Sequence, residues 1–431
     1  MKVGVVGGGI AGLSAAYELS KCGHQVSVFE RNPEMGGQLA TFEVGGGRVE
    51  RYYHHIFSND YDIIQLIEEL DLSQNLEWLE SRVGFFCEGK VYDFVTPVHL
   101  LRFTPLSLVD RLRLGVVGLY LRRYNNWRNF EDLTARDWII RYAGKRSYEV
   151  VWGPLLRGKF GDRAADVGMV WFWGKVHQRF GSRTKGARER LGYLRGSFGL
   201  VVDRLAQRIE AAGGVIYYQP VGRIVVEKDR VVGLEAASQF YPLDAVVATV
   251  PSPILLDLVP ELPDPYAAKL RRARYQAALC LVLILGRSLS PIYWLNISDP
   301  SIPFPLVVEQ TNLVDKSNYG DRHIVYVSNY VAKESPYYQM APERLLEEYL
   351  PHLRKINPQF DSSWIEGWHL IGEEAAQPIV VANYSEDIPD QRTPIGGLYL
   401  ANTSQSYPED RAINTGVRLG LMASREAMHQ S

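Results

Sequence analysis

Gly7, Gly9 and Gly12, with Ile10 and Ala11 between them and Glu30 further on, are of the types and at the spacing that grip a dinucleotide. A pyrophosphate needs close backbone approach and unused N–H groups. Gly7 permits a tight turn, Gly9 lets the backbone come near, and Gly12 lets the following helix pack closely. That helix offers free N–H groups and a partial positive charge at its start. Glu30 lies 18 residues after Gly12, close to the spacing at which an acid meets a ribose 2′-hydroxyl. An acid there suits FAD or NAD and repels the 2′-phosphate of NADP. The elements needed to position these groups are all in register. Lys2–Val6 reads as an apolar strand, Leu13–Leu19 as a helix, and Gln25–Phe29 as a second strand ending on Glu30.

The next residues choose between the two cofactors. Arg31 is followed by the pair Gly36-Gly37, then Gln38 and Thr41. NAD has no use for a second glycine pair here, whereas a larger cofactor needs backbone near its second half. With these residues the chain resembles the superfamily of FAD-dependent amine oxidases, protoporphyrinogen oxidases and phytoene desaturases. That family carries a glycine pair, usually followed by Arg and then Ser or Thr. This chain has Gln38 in place of the Arg. Gly45-Gly46-Gly47 reads as a hairpin turn between Thr41–Val44 and Arg48–Tyr52.

The resemblance implies an α/β protein: a glutathione-reductase-like FAD-binding Rossmann domain interleaved with an α+β substrate domain of antiparallel sheet plus helices. The expected boundaries are 1–80, 195–265 and 385–431 for the first, and 81–194 and 266–384 for the second. It also implies that Val221 and Val250 lie near the cofactor. The strand Gly397–Leu400 is followed by Asn402-Thr403 where the family has Gly-Asp. A helix start at Asn414, Thr415 and Val417 would face the flavin carbonyl and the pyrophosphate. From the residues alone, Tyr241–Pro251 reads as one buried parallel strand and its turn. Ala277–Leu285, Leu306–Gln310 and His323–Ser328 read as strands of a second sheet.

Three residues are candidates for catalysis. Arg157 and Lys159 lie in a stretch that packs glycines around two cations, Trp152–Asp162. Some members of the superfamily hold a lysine near flavin N5 through water, a role open to Lys159 or Lys175. His55, beside His54 in Val49–Asp60, would sit near the flavin ring. The His-Ile-Phe run after Tyr52 also resembles the UDP-galactopyranose mutases, although their glycine is Tyr53 here. Structural packing is the competing reading for both histidines, for Trp171-Phe172-Trp173, and for Tyr326 and Trp294.

Composition limits the alternatives. A chain of 431 residues is too long for one compact core. A net charge of −2 gives no global attraction to nucleic acid. Cys22, Cys87 and Cys280 are far apart and form no metal-type cluster, which suits a reducing cytoplasm; Cys22 and Cys280 read as core residues. The first strand begins at the N-terminus, so no signal peptide is expected. The longest apolar run, Ala277–Leu285, is nine residues, well short of the roughly 20 that span a bilayer. Charge is uneven, however. Val95–Arg195 holds 16 Arg and 4 Lys against 8 Asp and Glu. Three readings compete for this excess: binding of an anionic substrate, docking on the inner face of a membrane through residues 98–124, and a solvated helical face. The expected chemistry is FAD-dependent hydride transfer from an anionic or lipophilic small molecule to flavin N5. The alternatives are a redox-neutral nucleotide-sugar mutase and an FAD-binding protein without turnover. No metal is expected.

Overall fold

The computed structural model describes residues 1–181 and 189–429. Five parallel strands form its first sheet, in the order Leu398–Leu400, Ala245–Ala248, Lys2–Val6, Gln25–Phe29 and Val215–Tyr217. Val3, Val5, Val28, Val246 and Val247 are completely buried. Strands covered on both faces read as unbroken apolar runs. Helix Ile10–Lys21 follows the first strand and packs on helices Ile413–Met428 and Gly199–Ala211.

The run Tyr241–Pro251 divides rather than forming one strand. Gln239–Pro242 closes a three-stranded antiparallel sheet with Arg230–Ala236 and Val221–Glu227. Only Ala245–Ala248 enters the parallel sheet. The chain changes partners between Leu243 and Asp244: Leu243 N donates to Val232 O of the three-stranded sheet, whereas Asp244 N donates to Lys2 O and its carboxylate accepts from Lys2 N at 2.7 Å. The hairpin at Gly45-Gly46 forms between Thr41–Val44 and Gly47–Glu50.

The second large sheet has seven strands, in the order Ile365–Pro378, Tyr275–Leu285, His323–Val331, Leu306–Glu309, Trp294–Ile297, Val83–Cys87 and Lys90–Asp93. Its pairs run antiparallel except one, Trp294–Ile297 beside Val83–Cys87. The 14-residue edge strand Ile365–Pro378 has no apolar run to announce it, because most of its length is half-exposed.

Helices Pro97–Arg102, Leu108–Arg123, Ala135–Tyr142, Gly153–Phe160 and Met169–Gly181 share a separate core around Phe103, Trp138, Phe160 and Phe172. Trp171, Phe172 and Trp173 are all buried in it. Leu76–Glu80 pairs antiparallel with Arg190–Leu194. Cys280 is buried as expected. Cys22 is exposed instead, since it ends its helix rather than lying inside it. Of the basic stretch, Arg183, Lys185 and Arg188 lie outside the described residues.

Candidate cofactor and substrate cavity

A cavity of about 720 Å³ runs from the parallel sheet to the helical core and the seven-stranded sheet. One wall is backbone. The turn after Lys2–Val6 brings Gly7 and Gly9 to the surface of the cavity, and Ile10 and Ala11 follow in the first helical turn. No side chain caps that helix and its first turn holds no acid. Gly12 lies behind the lining: a Cβ there would meet Gly7 O at 1.9 Å, so no other residue fits without moving backbone. Gly36 N donates to Gly8 O at 2.8 Å, which seats the second glycine pair against the first turn.

Glu30 is buried, and Gly8 N and Asn32 N donate to its carboxylate at 2.7 and 2.8 Å. Arg31, Gly37, Gln38, Val221 and Val250 also line the cavity, as do Asn402, Thr403 and Thr415. An uncapped helix start, close-packed glycines and a fixed acid on one wall fit the phosphates and ribose of FAD.

Four expected residues take other places. Thr41 does not line the cavity; its hydroxyl accepts from Arg48 at 2.9 and 3.0 Å, and Arg48 also pairs with Asp203. Asn414 turns to the helix Tyr61–Glu69, where its Oδ1 accepts from Ile63 N and its amide donates to Asp62. Val417 is wholly buried in the core. Arg157 is exposed and off the cavity. Two residues from Lys159 on one helix, it is rotated about 200° around the axis, so the two cannot face the same way. Asn402 lines the cavity but is saturated: its amide donates to Val250 O and Ser252 Oγ, and its Oδ1 accepts from Ser404. It ties the turn after Ala245–Ala248 to the last strand.

The opposite wall is built from side chains. Trp152, Leu155, Leu156 and Lys159 form one face of Gly153–Phe160 and its entry, while Phe172, Lys175 and Arg179 do the same on Met169–Gly181. Lys159 Nζ and Lys175 Nζ both reach Asp410 Oδ2, at 2.5 and 2.9 Å. Trp171 Nε1 donates to the other oxygen at 3.0 Å. Burial pushes the Lys159 ammonium down to about 7, Asp410 opposes this, and Lys175 and Arg411 add to it. Despite its burial, Asp410 is held well below the usual carboxylate range by these lysines. Asp410 and Arg411 carry no recognisable spacing; the one signal was a charged pair directly ahead of a helix start.

His54 and His55 both line the cavity. His54 Nδ1 lies 2.7 Å from Tyr52 O, which only accepts, so this nitrogen holds the proton and Nε2 is left as an acceptor. Burial, with Arg411, lowers its basicity to about 4. His55 Nδ1 is 3.0 Å from the Tyr293 hydroxyl, and the ring lies edge-on to Phe57 and Trp294. Burial and the charges of Arg179 and Lys175 hold it well below its ordinary range. Both histidines are neutral at neutral pH.

Comparison with known proteins agrees with this architecture. The sequence model of the flavin containing amine oxidoreductase family matches residues 10–428. A 15-cis-phytoene desaturase of Synechococcus elongatus is 23% identical over 457 residues, covering 94% of this chain and 92% of that protein. A zeta-carotene desaturase of Zea mays is 27% identical over 179 residues, covering 36% of this chain and 31% of that protein, so the match spans about a third of its length. The crystal structure of an oxidoreductase from Methanosarcina mazei superposes with a TM-score of 0.78 at 20% identity, covering 99% of this chain and all of that one.

Proposed function

From a chain that belongs to the flavin containing amine oxidoreductase family, and is therefore an FAD-dependent oxidoreductase, we propose a desaturase that takes a long apolar substrate from a membrane surface. Bound FAD supplies a hydride acceptor at flavin N5. Gly7, Gly9, the start of Ile10–Lys21, Glu30, Gly36-Gly37, Val221 and Val250 would hold it. Oxidation of a CH–CH pair to C=C releases one hydride and one proton. Lys159, lining the cavity and poised near neutrality by its surroundings, is the group assigned to take the proton on Nζ.

Two features of the protein favour an apolar substrate over an amine. The substrate end of the cavity is lined by aromatic and aliphatic side chains and by Lys159, Lys175, Arg179 and Arg411. These four cations stand against three acids of the same lining, Asp60, Glu373 and Asp410, so a protonated amine finds no net attraction there. The observation that carries the reading is the helix Leu108–Arg123. It buries Leu114 and Leu121 on one side while exposing Leu108, Val109, Leu112, Val116 and Leu119 on the other, with Val116 67% exposed. Val98 and Leu101 of the contacting helix Pro97–Arg102 are exposed as well, as are Arg102, Arg122 and Arg123. Exposed apolar side chains together with arginine suit an anionic lipid surface. The helix packs on Met169–Gly181, whose inner face lines the cavity. No described helix is long and apolar enough to cross a membrane. The comparisons lend no support to the nucleotide-sugar alternative.

The test is anaerobic flavin bleaching with a polyene hydrocarbon carried in anionic vesicles, beside primary amines. Bleaching by the polyene, lost with the Leu112→Glu/Val116→Glu double variant but kept for detergent-dispersed substrate, is the expected result. Bleaching by amines alone would overturn the reading.

A further inference from the structure

Arg411 brings a positive charge to the cavity for which the protein supplies only neutral hydrogen-bond partners. Its guanidinium donates to Gln38 Oε1 at 2.7 Å, Tyr330 Oη at 2.8 Å and Gln377 Oε1 at 3.0 Å. The carboxylate next to it in sequence, Asp410, is already shared by Lys159 and Lys175. Three cations, Lys159, Lys175 and Arg411, therefore share the field of Asp410, and Glu373 is the second acid of this part of the lining.

The position of Arg411 sharpens the imbalance. Arg411 lies one residue before Ala412, the N-cap of helix Ile413–Met428, whose first turn holds no acid. A helix start carries a partial positive charge of its own, so a cation there is unfavourable unless an anion faces both. Arg411, Ala412, Ile413, Thr415 and Gly416 all line the cavity. Through Gln38 the guanidinium is also tied to the glycine pair Gly36-Gly37 on the backbone wall. A half-buried guanidinium, a helix start and a glycine loop thus meet at one point of the cavity.

We infer that Arg411 holds the negative charge of bound FAD, with Gln38 aiming the guanidinium. This rests on the FAD-dependent reading above. FAD offers negative charge in two places: its pyrophosphate, present in both redox states, and its flavin ring once it has accepted a hydride. Either makes Arg411 a cofactor-binding residue.

The experiment measures FAD affinity of the apoprotein by quenching of flavin fluorescence, then sulfite affinity of the reconstituted protein by loss of visible absorbance. Sulfite adds its lone pair to flavin N5 and leaves the ring negatively charged, so it reports on cations near the ring without any turnover. Arg411→Gln removes one charge-assisted hydrogen bond and is expected to weaken one of the two affinities by about tenfold to a hundredfold. A loss confined to FAD affinity assigns the pyrophosphate; a loss confined to sulfite affinity assigns the ring. The Gln38→Arg/Arg411→Gln double variant exchanges charge and acceptor and is expected to restore the loss. It also serves where circular dichroism shows the single variant unfolded: native-like affinities are then expected of it. Unchanged FAD and sulfite affinities in folded Arg411→Gln would overturn the inference. So would a folded double variant that binds both no better than the single one or, where that is unfolded, more weakly than native protein. Native protein that takes up no flavin would instead overturn the parent reading.

Discussion

The two walls of the cavity are made in opposite ways. The nucleotide wall is mostly backbone: a turn, a helix start and a glycine pair, drawn from about thirty consecutive residues between Gly7 and Gln38. The facing wall is made of side chains from distant segments, with Lys159, Lys175 and Tyr330 brought by two helices and a strand and Asp410 by a loop. A backbone site tolerates almost no added atoms and little else matters to it. A side-chain site can be retuned one charge at a time while the fold stays intact. The first suits a cofactor that does not change, the second a substrate that does.

The contrast can be broken most severely at Gly12. Gly12→Val places branched carbon where a Cβ would already lie 1.9 Å from Gly7 O. We expect loss of FAD from the purified protein and a fall in stability of about 3 kcal/mol, at the upper end for overpacking, read by denaturant unfolding. Retained FAD would show that the glycine turn is not the rigid wall described.

The facing wall should behave differently. Lys159→Met is expected to lower kcat/KM about a hundredfold, as loss of a general base does, with FAD affinity unchanged. Its control is Arg157→Ala, which sits on the same helix but faces away from the cavity and should leave kcat/KM unaltered. Equal losses from both would mean that the helix, not the cavity-facing lysine, is what matters.

A third effect, read as stability against pH, is expected away from the cavity. Glu50 ends a hairpin strand, and its carboxylate accepts from Phe198 N and the Tyr193 hydroxyl, while its carbonyl accepts from the Tyr326 hydroxyl of the seven-stranded sheet. Burial pushes this carboxyl up to about 7. The folded state therefore binds the proton more tightly than the unfolded chain, so stability falls as pH rises from about 4.5 to about 7. Glu50→Gln removes this dependence. Thermal unfolding should show the variant gaining on the native protein across that interval, with no further gain above it. A constant difference at all pH values would place the carboxyl's titration elsewhere.

Legibility followed the same division. The glycine turn, Glu30 and the hairpin at Gly45-Gly46 were readable because each is set by neighbours in the chain. Thr41 and Asn414 were misplaced because a hydroxyl or amide near a cofactor loop can equally well bond Arg48 or cap a helix, and spacing does not distinguish these. Arg157 was misplaced although helical periodicity separates it from Lys159, because its sequence does not say which face of that helix meets the cavity. Cys22 read as a core residue only because its position at the end of the helix, rather than inside it, was not evident.

The sequence by itself determined a dinucleotide-binding βαβ unit, the preference for FAD over NADP, and an uneven distribution of arginine. These depend on backbone conformation and on charge, both local properties. Tertiary structure alone decided that two lysines share Asp410, that Arg411 meets the second glycine loop through Gln38, and that an apolar helix face lies one layer from the cavity. Those outcomes depend on which distant side chains share a low-dielectric space, where desolvation and Coulomb terms are set by geometry rather than by order along the chain.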